Sequence, residues 1–238
     1  MSLDTVLNRI DEDLQTSIDR LMELLRIPSI STDPAYKADV SRAADWLVAD
    51  LNSIGIAAEK RETTGHPMVV GHVGEDSDAP HILFSGHYAV QPVDPLNLWT
   101  RDPFDPAIED TEHGPVIRGR GASDDKGQLM TFVEACRAWK AVHGSLPCRI
   151  TFFFEGEEES GSPSLVPFLE DNAAELKADL ALVCDTSMVS RGVPSIAAQL
   201  RGMLKDEFTI IGPRIDLHSG HYGGPGLNPL RELSKIVA

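Results

Sequence analysis

Three apolar runs of strand length each end on an imidazole or a carboxylate. They are Ile82-Leu83-Phe84-Ser85-Gly86-His87, Ile150-Thr151-Phe152-Phe153-Phe154 leading to Glu157-Glu158-Glu159, and Leu180-Ala181-Leu182-Val183-Cys184 closing on Asp185. A fourth segment, Gly119-Arg120-Gly121-Ala122-Ser123-Asp124-Asp125-Lys126-Gly127, sets carboxylates at the mouth of a helix. Runs that are continuously apolar, not alternating, suit strands covered on both faces. In an open α/β sheet the carboxyl ends of such strands converge on one crevice, where ligands bind. The pattern predicts an α/β fold with a single site fed by all these segments.

The rest of the chain supplies the covering helices. Val6, Ile10, Leu14, Ile18, Leu21, Met22 and Leu25 recur at helical spacing over residues 4–26, and Pro28 stops that helix. A second helix is predicted over 34–53, with Gly55 as its C-terminal cap, and strands near 57–62, 68–73 and 81–86. The segment 91–118, with Asp94-Pro95, Asp102-Pro103 and Asp105-Pro106, reads as a long loop serving a site. Residues 126–143 read as a helix, 149–154 and 180–184 as buried strands, and 164–176 as a short helix between them. Near Arg201 the grammar changes: strands are expected at 196–200 and 204–211, then a Gly- and His-rich loop and a helix from Pro229.

The formal charge of −16 over 238 residues argues against a nucleic-acid partner. Cys136, Cys148 and Cys184 are an odd set on core-facing positions, which suggests buried, reduced thiols and a cytoplasmic setting. No apolar run has the length of a membrane span, and Met1-Ser2-Leu3-Asp4 lacks the basic and apolar regions of a signal peptide.

Each acidic or imidazole group has a bland reading beside its chemical one. A lone His87 at a strand end is more often structural, but convergence with other strand ends makes it a metal ligand. Asp124 could be a helix cap. The adjacent Asp125 would repel a phosphate, whereas a carboxylate can bridge two divalent ions about 3.5–4 Å apart. The run Glu155-Gly156-Glu157-Glu158-Glu159 could be a solvated loop; starting at the edge of the core, it could instead divide labour between a metal ligand and a proton acceptor. Asp185 is either a turn residue or an oxygen ligand. His218 and His221 could bind metal or donate a hydrogen bond to a developing oxyanion.

Together these segments resemble the co-catalytic zinc peptidase family of carnosinases, bacterial dipeptidases, aminoacylases, acetylornithine deacetylase and succinyl-diaminopimelate desuccinylase. Gly86-His87-Tyr88 followed by Val90-Gln91-Pro92-Val93-Asp94-Pro95 is most similar to the dipeptidase and carnosinase branch. The resemblance implies a mixed, mostly parallel sheet with helices on both faces over residues 1–198, and the start of an α+β lid and dimerisation domain over 199–238. It implies that His87 and Asp185 bind one Zn2+, Asp124 bridges, and Glu159 binds a second, with Mn2+ or Co2+ as alternatives. Glu158 would be the general base and His218 the lid histidine. The implied reaction is hydrolysis of an amide bond in dipeptides or N-acyl amino acids by a homodimer, and the charge and hydropathy readings above add the expectation of no nucleic-acid or membrane partner. Two departures stand out. Position 89 is Ala where the pattern has Asp, which removes a carboxylate able to steady His87. The chain also stops before the late histidine that would complete the second zinc site. The competing expectation is therefore a non-catalytic truncated paralogue that keeps the fold and weak metal or peptide binding.

Overall fold

A computed structural model describes residues 2–74 and 78–238. The chain divides into two units, Met1–Met188 and Val189–Ala238. Among the described residues no helix is long and apolar enough to cross a membrane.

In the first unit, helix α1 (Leu3–Leu25) turns Val6, Met22 and Leu25 inward. A short turn at Pro34–Tyr36, capped by the Asp33 side chain, leads into α2 (Lys37–Ser53), which buries Val40, Ala43, Leu47 and Leu51. Gly55 follows it with a φ of 71°, a left-handed conformation that glycine adopts without strain. Helix α3 (Lys126–His143) buries Leu129, Met130, Val133 and Cys136.

Strands β1 (Ala57–Arg61), β2 (Met68–Val73), β3 (His81–His87), β6 (Arg149–Glu155) and β7 (Leu180–Val183) form a sheet in the order β1-β2-β6-β3-β7. β1/β2 and β2/β6 are antiparallel, whereas β3/β6 and β3/β7 are parallel, so the sheet is mixed in equal parts. The parallel register sets His87 opposite Glu155 and Ser85 opposite Val183. Period-two alternation sends Phe84, Phe152 and Phe154 to one face, where they pack with Leu24, Leu47, Leu51, Leu129 and Val133 from α1, α2 and α3. Phe153, Met68 and Val70 go to the other, against Leu165, Phe168 and Leu176 from α4 (Leu165–Asp171) and α5 (Ala173–Leu176). Phe84 stacks on Phe132 with ring centroids 3.8 Å apart. A fully buried ring such as Phe84 contributes about 1.5–3 kcal/mol of transfer free energy.

The structure departs from the sequence expectations in three places. The segment 91–118 is not all loop. Its second half is a hairpin of β4 (Ala107–Thr111) and β5 (Gly114–Arg118), paired Thr111 to Gly114 across a Glu112-His113 turn. The Asp-Pro pairs that dominate the composition lie before it. Second, β6 is buried as expected, but β7 is not. It is an edge strand whose Leu180 and Val183 are 57 % and 60 % exposed. Third, 196–200 and 204–211 form no strands. Ile196, Leu200, Leu204 and Ile211 are exposed, and an extended apolar run without a ladder partner is not a strand. The described helices of the second unit are α6 (Ser219–Tyr222) and α7 (Pro229–Val237), the latter capped by Asn228. All three cysteines are free; Cys136 is buried, which pushes its thiol up to about 12, and the other two are half-buried.

Candidate metal centre

The site is built at the carboxyl end of β3. Gly86 lets α3 approach the strand closely: a Cβ there would lie 2.9 Å from Asp125 Oδ2. His87 is buried at 1 % exposure. Its Nδ1–H donates to the main-chain carbonyl of Ala89 at 2.9 Å, so a neutral ring presents the Nε2 lone pair. Nε2 faces Asp124 Oδ1 at 3.1 Å, Asp185 Oδ2 at 3.6 Å and Glu158 Oε2 at 3.8 Å. A lone pair aimed at carboxylates requires a proton or a cation between them. Burial lowers the basicity of His87, but Asp125, the Ala89 carbonyl, Asp185 and Glu158 outweigh it and raise the pKa.

The four carboxylates come from three separate elements. Asp124 ends the glycine-rich turn before α3, Asp185 follows β7, and Glu158 and Glu159 sit in a tight helical turn after β6. Two sets of donor atoms lie within 4.8 Å of one another: His87, Asp124 and Asp185, and His87, Glu158 and Glu159. One imidazole among several carboxylates is a donor set suited to Zn2+ and similar divalent ions. Burial raises the pKa of Glu158, with Asp185, Glu159 and Asp124 adding to the effect against the opposing pull of His87. Gln91 Nε2 donates to Glu159 Oε2 at 2.6 Å. A cavity of about 380 Å³ opens beside the cluster, lined by His87, Glu158 and Asp185 with Leu83, Phe153 and Val183.

All five sequence-predicted residues of the first unit, His87, Asp124, Glu158, Glu159 and Asp185, therefore meet at one place. His218 belongs to the second unit, where it caps α6 by accepting from the Gly220 N–H, with its ring 4.8 Å from that of His221. Other members of the acidic runs do different work. Glu157 is buried and accepts from the backbone N–H groups of His66 and Ser164, so it ties the turn down. Glu155 is buried and accepts from Ser162 Oγ. Asp125, Gln91 and the Ala89 carbonyl escaped the sequence reading. For Asp125 and Gln91 the only signal was adjacency to ligand-like residues; a main-chain carbonyl leaves none.

A family model, peptidase family M20/M25/M40, matches residues 83–228. The chain belongs to the M20/M25/M40 peptidase family. It is 32 % identical over 250 residues to a Cys-Gly metallodipeptidase of Schizosaccharomyces pombe, covering 100 % of this chain and 52 % of that protein. It is 28 % identical to human Beta-Ala-His dipeptidase, covering 99 % of this chain and 48 % of the relative. A solved di-peptidase of Saccharomyces cerevisiae superposes with a TM-score of 0.78 at 26 % identity, over 99 % of this chain and 52 % of the other. The chain thus spans about half the length of the relatives it matches. The match begins within β3 and takes in His87, Asp124, the acidic turn after β6 and Asp185, the residues that supply the convergent donors.

Proposed function

We propose that this M20/M25/M40 chain serves metal-dependent hydrolysis of the amide bond in dipeptides, with N-acyl amino acids as the neighbouring substrate class. The observation that carries the reading is the His87 Nε2 lone pair facing carboxylates from three separate elements within 3.1–3.8 Å. The names of the relatives, Cys-Gly and Beta-Ala-His dipeptidases, point to small dipeptides as substrates.

In this reading His87, Asp185, Asp124 and Glu159 would be the residues that hold the Zn2+, with His87 and Asp185 serving one ion, Asp124 shared and Glu159 serving a second, and Mn2+ or Co2+ could substitute. Bound there, such ions supply Lewis acidity that polarises the scissile carbonyl. The chain's own residues do the rest. Ala89 holds the Nδ1 proton of His87 and so fixes the tautomer that leaves Nε2 free. Glu158, made more basic by burial, accepts a proton from the attacking water and returns it to the leaving amine. Gln91 holds one oxygen of Glu159 and leaves the other for ligation. His218 is assigned the hydrogen bond to the developing oxyanion. Residues 199–238 are assigned to the start of a lid and dimerisation domain, and the working assembly to a homodimer.

The test is turnover by the full chain, stripped of metal and reloaded with Zn2+, Mn2+ or Co2+, against Cys-Gly, Beta-Ala-His and N-acyl amino acids. Metal-dependent release of the amine is expected for at least one dipeptide; no hydrolysis with any of the ions overturns the proposal.

A further inference from the structure

Asp125 is fully buried, yet none of the ordinary uses of a buried carboxylate accounts for it. It stands at the N-cap of α3, but its side chain makes no capping hydrogen bond. Its neighbour Lys126 is also fully buried, and the Lys126 ammonium is directed elsewhere, donating to the carbonyls of Leu24 at 3.1 Å and Ile27 at 2.7 Å. What Asp125 does make is one bond. Oδ2 accepts the backbone N–H of His87 at 3.0 Å, and Oδ1 has no partner among the described residues. A carboxylate taken out of water for a single neutral donor is costly.

Resting on the metal reading above, we infer that Asp125 is a positioning residue that locks the end of β3 to the start of α3, and thereby sets His87 against Asp124. The geometry is that of a brace. His87 sends its ring to one face of the strand while its main-chain N–H is held by Asp125. Asp124 is the residue next to Asp125, so fixing Asp125 to His87 places the Asp124 carboxylate 3.1 Å from His87 Nε2. Lys126 fixes the other side of the same turn by tying it to the end of α1. Gly86 makes the brace possible, because a Cβ at that position would reach within 2.9 Å of Asp125 Oδ2 and push the carboxylate away. Asp125 has no place among the donor sets around His87, so its effect is exerted through the two ligands it spaces.

The experiment measures zinc affinity by competition with a chromophoric chelator, and the visible spectrum of the Co2+-loaded protein. It uses the full chain and Asp125→Ala, Asp125→Asn, Gly86→Ala and the Gly86→Ala/Asp125→Ala double variant. Loss of a group that orients a ligand typically weakens metal binding about 10–100-fold. A loss of that size is expected for Asp125→Ala and Gly86→Ala, with an altered Co2+ spectrum. The double variant should be no worse than the worse single variant, because both remove one brace. Asp125→Asn keeps an oxygen acceptor for the His87 N–H and should recover most of the affinity.

Wild-type affinity and spectrum in both Asp125→Ala and Gly86→Ala overturn the inference while leaving the metal reading intact. So does a fully additive double variant. Equal losses in Asp125→Asn and Asp125→Ala overturn the hydrogen-bond account. If Asp125→Ala does not fold, Gly86→Ala and Asp125→Asn decide the question. A wild-type chain that binds no zinc overturns the metal reading itself.

Discussion

The imidazole of His87 closes on the main-chain carbonyl of Ala89, with Nδ1 2.9 Å from the oxygen. A side-chain carboxylate at position 89 would have been one way to steady the ring; here the backbone does it. The Ala89 side chain is itself fully buried. An aspartate introduced there would put a carboxylate at a position taken wholly out of water. Ala89→Asp is therefore expected to lower stability by about 1–3 kcal/mol in denaturant unfolding, the usual cost of an ill-satisfied buried polar group. Its gain in zinc affinity should fall well short of the roughly 10–100-fold effect of supplying a missing partner. A gain of that full size would show that the carbonyl does not suffice.

Away from the centre, Glu134 on α3 joins three helices. It accepts from Arg20 Nε at 2.7 Å and Ser17 Oγ at 2.8 Å on α1, and it pairs with Arg137, whose Nη2 reaches Asp50 of α2 at 2.6 Å. Burial alone would raise the Glu134 pKa, but the Arg20, Ser17 and Arg137 contacts win and lower it. A carboxyl whose folded pKa is depressed contributes stability that is fully present above its unfolded value near 4.5. That contribution is lost as pH falls through the folded value. Glu134→Gln should cost about 1.5–3 kcal/mol at neutral pH, the range for hydrogen bonds to charged groups. The difference from wild type should shrink below pH 4.5. Urea unfolding at pH 7 and pH 3 checks both the size and the sign.

Phe153 carries the smaller core, on the sheet face opposite α3. It is 2 % exposed and stacks on Phe168 of α4 at 5.7 Å. Phe153→Ala should destabilise the fold by about 3–5 kcal/mol, as cavity-forming aromatic truncations do. Phe168→Ala should cost less, because Phe168 is only half-buried. The two variants combined should fall short of the sum of the singles, since they share one contact.

Much of this was legible in the sequence for simple reasons. α3 and β2 fall where periodicity placed them, because amphipathic spacing reports directly on a buried face. The site residues were legible because strand ends and helix starts are fixed points: once Phe84 and Phe152 are core, His87 and Glu158 have few places to go. Composition could not show which apolar run lacks a partner. Leu180–Val183 reads like β6, yet its neighbours leave it an edge. Ile196 and Phe208 promise strands that would need a ladder neighbour to form. Nor could the sequence show bonds made by the main chain, which is why the Ala89 carbonyl was invisible and its missing carboxylate was conspicuous.

The proposed function is metal-dependent dipeptide hydrolysis at this cluster, with Glu158 as the base. The most direct measurement is turnover of Cys-Gly and Beta-Ala-His by wild type and Glu158→Gln at matched, measured zinc content. Wild type is expected to turn over at least one dipeptide, with a chelator abolishing the activity and added zinc restoring it. Glu158→Gln is expected to retain zinc but to be slower by about 10²–10⁴-fold, the usual contribution of a general base. Zinc-loaded Glu158→Gln working as fast as wild type, or wild type hydrolysing neither dipeptide, would contradict the proposal.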